Sequence, residues 1–453
     1  MKIILLFLCS MASAFVSSGQ SAPDCQCTHP FPYKATVSNE LKTSNFKPLV
    51  EDQDVTESYI RWKRDYLKPD PHGDNLIIEN RGKGEPKKYL TTSEAMSYGM
   101  IVEVLMAGYD PGAKSQFDRL YRYTLLHPSA KSKFLMAWSQ RRKSLIRKKG
   151  DVDSAVDGDI DIAYALLLAY KQWRDEKYKL SVDSTLAAIL AQEIDVKNNR
   201  IVRGNASVPA DGFAYQVIRM SDFMPVELRS FYSYTGQSIW LDLLKRNYKR
   251  YEKAQAQFSR NFGMFPDYLY VSDNDSLALI PESMPKDTLE DEGFDDGGET
   301  SDDNPRGRFY GLNSCRVPWR IATDFLLNGD GDAKQIIATL NKGIRKYTLD
   351  DACLLANVMQ IEDSTSPAEH KKKVEGSADK HSADLSTIGP LCVAAYAGGQ
   401  KTPWRDRLLG LLLEHPASFC PNNNHPGKPN YYGSTIRMIC LLLLSNHYWA
   451  PEI

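Results

Sequence analysis

Beyond residue 50, apolar residues recur at spacings of three and four in stretch after stretch, and strict alternation is confined to short pieces such as 75–79 and 268–271. That periodicity predicts helices over 93–109, 159–173, 225–244, 317–327, 333–344, 389–397, 402–414 and 434–447. Several of them are apolar almost all round, as in Ile160-Asp-Ile-Ala-Tyr-Ala-Leu-Leu-Leu168. A helix without a polar face must be covered on every side. An inner ring of helices within an outer ring meets that demand, so the chain is expected to be all-α. No linker divides it after residue 48, and 49–453 is expected to be one domain. Residues 22–48 carry Pro23, Pro30, Pro32 and Pro48 and read as a polar lead-in.

At the N-terminus, Lys2 precedes an apolar run from Ile3 to Leu8 and the small residues Ser13 and Ala14. This is the pattern of a secretory signal over 1–21, with cleavage between about 14 and 21. A secreted, extracellular protein follows. The apolar runs are too short to cross a bilayer, so no membrane partner is expected. Fifty-six basic and fifty-seven acidic residues nearly cancel, to −1, which gives no electrostatic case for nucleic acid. Tyrosine is abundant, at 24 residues, beside 16 Phe and 7 Trp. Such rings suit sugar stacking as well as cores.

Seven cysteines remain beyond the signal. Cys353, Cys392 and Cys440 lie in apolar stretches and read as buried thiols, as free Cys commonly is. Cys25, Cys27 and Cys420 lie in loops where pairing is possible. No spacing suggests a zinc site, and neither metal nor cofactor is expected. Asn205 and Asn274 open N-x-S triplets, weak candidates for glycosylation.

Three motifs carry chemistry. Thr91-x-x-Glu94 fits a capping box, and equally a carboxyl at a helix mouth whose packing by Met96, Tyr98 and Met100 raises its pKa. Asp157, Asp159 and Asp161 alternate just before an apolar helix: the first two suit its positive end, while Asp161 reads as a buried structural acid. Arg316 and Arg320 stand four apart, close to Pro318, and are suited to orienting carboxylates. A further segment, 286–306, holds nine acids against Lys286 and Arg306, without periodicity. Unstructured loops of that length are often functional.

Ser93-Glu-Ala-Met-Ser-Tyr-Gly-Met100, Ser154-Ala-Val-Asp-Gly-Asp-Ile-Asp161 and Cys315-Arg-Val-Pro-Trp-Arg320, in this order, resemble glycoside hydrolase family 8. Weaker matches extend the likeness over 55–450: Trp62-x-x-x-Tyr66, Leu135-Met-Ala-Trp138, Ser221-Asp-Phe-Met-Pro225, Pro266-Asp267 and Tyr431-Tyr-Gly433. The resemblance implies an (α/α)6 barrel and inverting hydrolysis of a β-1,4-linked polysaccharide, most simply β-1,4-glucan. Chitosan and xylan are alternatives, as is a non-catalytic glycan-binding protein. It implies Glu94 as general acid, Asp157 as the acid at the cleavage subsite and Arg316 as a cleft residue. Where many members carry a general-base aspartate, this chain has Asn313, and an amide cannot activate water. A subgroup with Asn at that position takes a glutamate from a preceding loop, which points to Glu299, then Glu290, with Glu292 also in range. Asn313, Asp222, Tyr98, Trp62, Trp138 and Tyr215 complete the expected substrate contacts, the last three as stacking or core rings. A monomer acting on oligosaccharide or polysaccharide is expected.

Overall fold

The computed structural model describes residues 27–43, 47–82, 89–142, 152–281, 307–361, 366–375, 383–399, 401–414 and 430–451. Fourteen α-helices fall within them. In chain order they are α1 Asn39–Thr43, α2 Asp52–Tyr66, α3 Ser93–Leu105, α4 Ala113–Leu126, α5 Val156–Trp173, α6 Glu176–Gln192 and α7 Pro225–Thr235. There follow α8 Ile239–Phe258, α9 Val317–Asn328, α10 Gly331–Tyr347, α11 Pro367–Glu375, α12 Leu385–Ala397, α13 Pro403–Glu414 and α14 Tyr431–Leu444.

Helices α3, α5, α7, α9, α12 and α14 each touch the next, and α14 returns to α3, so they close a ring. Helices α4, α6, α8, α10 and α13 pack outside α3, α5, α7, α9 and α12, and α2 packs on α14. This is an (α/α)6 barrel. Burial follows the sequence pattern. Every residue of α12 is buried, and so is every residue of α3 except Glu94. Outer α2 buries only Val55, Ser58, Tyr59, Trp62 and Tyr66, a stripe spaced by three and four. The predicted helix 225–244 is two helices, because Gly236 adopts φ 68 and ends α7.

Short antiparallel strand pairs decorate the barrel. Two of them flank the site: Tyr89–Thr92 pairs with Ser139–Arg141, and Val217–Arg219 pairs with Tyr268–Val271.

The segment expected as a lead-in lies across the opposite end of the ring. Backbone N–H groups of Thr28, Phe31, Ala35, Ser38 and Leu49 donate to the carbonyls of Gln172, Ala107, Asn446, Leu326 and Leu444 at 2.6–3.0 Å. Those acceptors stand at or just beyond the C-terminal ends of α5, α3, α14 and α9, where helices leave carbonyls without internal partners. Phe31, Ala35 and Leu41 are buried there.

Two readings of single residues change. Cys353 is disulfide-bonded, as is Cys27, whereas Cys315, Cys392 and Cys440 are buried free thiols. Asn205 is buried and bonds Ser129 Oγ and the Ser154 N–H, each at 2.9 Å, so its triplet is inside the fold and closed to a glycan.

Candidate active site

The N-terminal ends of the inner helices gather the charged residues. Glu94 is the second residue of α3, Asp157 the second of α5, Arg316 immediately precedes α9, and Tyr431 opens α14. The first two approach closely because Gly158 lacks a side chain: a Cβ there would stand 2.3 Å from Ser93 Oγ and 2.9 Å from the Ser93 carbonyl carbon.

Arg316 is the hub. Its Nη1 donates to Glu94 Oε2 and, at 2.8 Å, to Asp157 Oδ2. Nη2 donates to Ser221 Oγ at 2.7 Å and to Asn313 Oδ1 at 3.1 Å, and Nε to the Asn313 carbonyl at 3.3 Å. All five guanidinium N–H groups are therefore engaged. Asp157 Oδ1 takes a second arginine, Arg219, at 2.9 Å, and Arg219 Nε donates to Asp222 Oδ1 at 2.7 Å. One turn deeper, Arg320 bonds Asp161 at 2.9 Å, the buried structural acid that the sequence suggests.

The two carboxyls beside Arg316 are driven apart. Burial raises the Glu94 pKa, opposed by Arg316 and reinforced by the charge of Asp157. Burial also works against ionised Asp157, but Arg219 and Arg316 outweigh it and hold that carboxyl well below the usual range. Such a split suits two neighbouring carboxyls to different roles. Glu94 keeps 19% of its side chain exposed, against 3% for Asp157, so Glu94 is the more accessible of the two. Its Oε1 accepts the Tyr431 hydroxyl at 2.8 Å. The capping-box reading fails: Thr92, not Thr91, caps α3 by accepting from the Ala95 N–H at 3.2 Å, and Glu94 points to Arg316 and Tyr431.

Asn313 sits beside this cluster, with its N–H and the Ser314 N–H and hydroxyl all donating to Asp267 Oδ1 at 2.7–3.1 Å. Trp138, part-buried, forms a wall next to α3: its carbonyl accepts the Ser93 N–H at 2.9 Å and its ring meets Tyr89 edge-on. Tyr215 is half-exposed, with the Arg200 guanidinium over its ring at 5.0 Å.

Three expected contacts are corrected. Trp62 is 3% exposed on the inward stripe of α2 and donates to Thr435 of α14, so it is core. Tyr98, one turn below Glu94 on a helix buried all round, lies under Arg316 and Arg320 and cannot reach a sugar. Asp222 is buried against Arg219 and holds that arginine in place. Glu290, Glu292 and Glu299 lie outside the described residues. Sequence reasoning did not single out Arg219, and it gave Tyr431 no role beyond the Tyr431-Tyr-Gly433 match. A charge inside the apolar stretch Val217-Ile-Arg-Met220 demands a buried partner, and that was the available signal for Arg219.

An (α/α)6 barrel whose open end sets a carboxyl raised by burial beside one held low by two arginines offers a site for acid–base chemistry. The family model for glycosyl hydrolases family 8 matches residues 30–286, and the chain belongs to that family. It is 28% identical over 425 residues to a beta-glucanase of Niallia circulans, covering 93% of this chain and 91% of that protein. It is 26% identical to an endoglucanase of Bacillus sp. (strain KSM-330), covering 97% and 86%. Among solved structures, the apo beta-1,3-1,4-glucanase from Paenibacillus sp. X4 superposes with a TM-score of 0.74 at 25% identity, over 93% of this chain and 99% of that one.

Proposed function

We propose that the protein is an inverting endo-β-1,4-glycanase acting on β-1,4-glucan, either cellulose or mixed-linkage glucan, with Glu94 as general acid. The observation that carries this reading is the pairing of Glu94, raised by burial and open to the cleft, with Asp157, held ionised behind it by two arginines. The names of the relatives, beta-glucanase and endoglucanase, support glucan as the substrate.

Glu94 gives its proton to the glycosidic oxygen as the bond breaks. The carboxylate left behind is already met by Arg316 and the Tyr431 hydroxyl, so its charge needs no reorganisation. Asp157 and its arginines fix the field beneath the sugar whose anomeric carbon becomes cationic. Trp138 offers a flat ring to a pyranose face.

Inversion requires a base on the far side of that carbon, activating one water. Asn313 is an amide whose Oδ1 already accepts from Arg316. The resemblance to the subgroup with Asn at this position points to the acidic loop for the base, to Glu299 first and Glu290 second. Glu299→Ala is expected to abolish hydrolysis, with azide restoring part of it in the base's place. Full activity in both Glu299→Ala and Glu290→Ala would move the base elsewhere.

Substrate and stereochemistry are tested together. Reducing-sugar release should be greatest on carboxymethyl cellulose or lichenan and smaller on xylan and chitosan. Proton NMR of the first product should show the α-anomer, and an initial β-anomer would refute inversion. A polysaccharide cannot enter a cell intact, which agrees with export directed by residues 1–21; the N-terminal residue of the exported protein would locate the cleavage. Among the described residues no helix is long and apolar enough to cross a membrane.

A further inference from the structure

Behind the Glu94 cluster stand two acids that the mechanism leaves unused. Asp159 lies two residues beyond Asp157 on α5, and Glu193 follows the last residue of α6; they are 1% and 0% exposed. Asp159 Oδ1 accepts the Met136 N–H at 2.9 Å, and Glu193 Oε1 accepts the Ser154 hydroxyl at 2.5 Å. The other two oxygens, Asp159 Oδ2 and Glu193 Oε2, have no donor among the described residues. Yet the two carboxyl groups lie within hydrogen-bonding reach of one another. Two carboxylates are acceptors only, so that contact exists only when one carries a proton.

The surroundings favour the proton. The charged groups facing the pair from its own helix and from the neighbouring turn are Asp157 and Asp222, both acids. Arg316 and Arg219 are bonded to Glu94, Asp157 and Asp222, and Lys131 to Asp153 and the Asn205 carbonyl. Burial is the first cause raising both acids, and Glu193 is pushed up to about 8.

The pair also fastens the site. Met136 lies two residues before Trp138, whose N–H donates to the Asp153 carbonyl and whose carbonyl takes the Ser93 N–H beside Glu94. Ser154 Oγ accepts the Asn205 N–H at 3.2 Å, which binds the turn before α5 to the segment crossing it. We infer that Asp159 and Glu193 share a proton and act as a positioning pair, holding the first turn of α5, which carries Asp157, and the Trp138 wall in register with Glu94. Its consequence for turnover rests on the glycanase reading above; its protonation does not.

Glu193→Gln supplies the shared N–H permanently, whereas Glu193→Ala leaves Asp159 alone. The melting midpoint of the unmutated protein should fall as pH rises from about 5 to about 8, because the unfolded chain releases a proton that the folded pair retains. In Glu193→Gln that fall should be shallower, with most of kcat on lichenan retained. Glu193→Ala should lose at least about tenfold in kcat. If Glu193→Ala does not fold, the Gln variant's melting profile alone decides. A Glu193→Gln profile parallel to that of the unmutated protein, or a folded Glu193→Ala with full turnover, would overturn the pair. If no variant hydrolyses any glucan, the glycanase reading fails, and the melting comparison still decides protonation.

Discussion

The two ends of the barrel are built from the same six helices and solve opposite problems. At the N-terminal end, unpaired N–H groups and helix dipoles favour negative charge. There the chain places Glu94 and Asp157, with Arg316 between them and Arg219 bridging Asp157 to Asp222. At the C-terminal end the orphans are carbonyls. The chain closes that end with its own backbone, running residues 27–43 and 47–49 across α3, α5, α9 and α14. Phe31 and His447 pack ring to ring there, as do His29 and Trp449. One end holds charge that a ligand can meet; the other is a lid of main chain and aromatic rings. Chemistry and stability should therefore separate by end.

The largest effect is expected from removing the hub of the open end. Arg316→Ala strands Glu94 and Asp157 without their shared cation, and should cost about 3–5 kcal/mol of stability along with activity. Urea unfolding followed by fluorescence would measure it. At the closed end, Phe31→Ala should cost about 3 kcal/mol or more by opening a cavity, while the surviving folded enzyme keeps its kcat. A loss of kcat without a loss of stability would erase the distinction between the ends.

Titration sharpens it further. At the closed end, Glu103 accepts the Tyr59 hydroxyl, and burial pushes its carboxyl up to about 8. A folded pKa above the unfolded one means stability that is full below the ordinary carboxyl range and is lost as pH rises through about 8. Asp157 has the opposite sign: its contribution is present above the ordinary carboxyl range and lost only in strong acid. Glu103→Gln should flatten the neutral-to-alkaline decline in melting midpoint and leave the pH profile of kcat unmoved. The smallest effect is expected from Trp138→Ala, which should weaken oligosaccharide binding with melting within a few degrees; a large stability loss would instead mark it as core.

The open end was more legible in the sequence than the closed one. Helices α3 and α5 are apolar enough for period and burial to be read directly, and Glu94, Asp157 and Arg316 sit at motif positions near helix starts. Outer helices hide better. Glu176–Gln192 is amphipathic, and its buried Tyr178, Val182, Thr185, Leu186, Ala188 and Ile189 are diluted by polar neighbours. Trp62 was ambiguous for the same reason, since an aromatic on an outer helix looks alike whether it turns inward or to a cleft. The closing strap has no period at all. Its bonds join Ala35 to Asn446 and Ser38 to Leu326, and no local pattern announces a partner that far along the chain. Arg219 and Tyr431 gain meaning only when Asp157 and Glu94 are seen beside them.

The account rests on Glu94 holding a proton that it gives up in the reaction. Glu94→Gln preserves shape and hydrogen-bonding capacity but has no transferable proton. With lichenan as substrate, kcat should fall at least about 100-fold while the melting midpoint stays unchanged. Near-normal turnover by the folded Glu94→Gln protein would contradict the assignment.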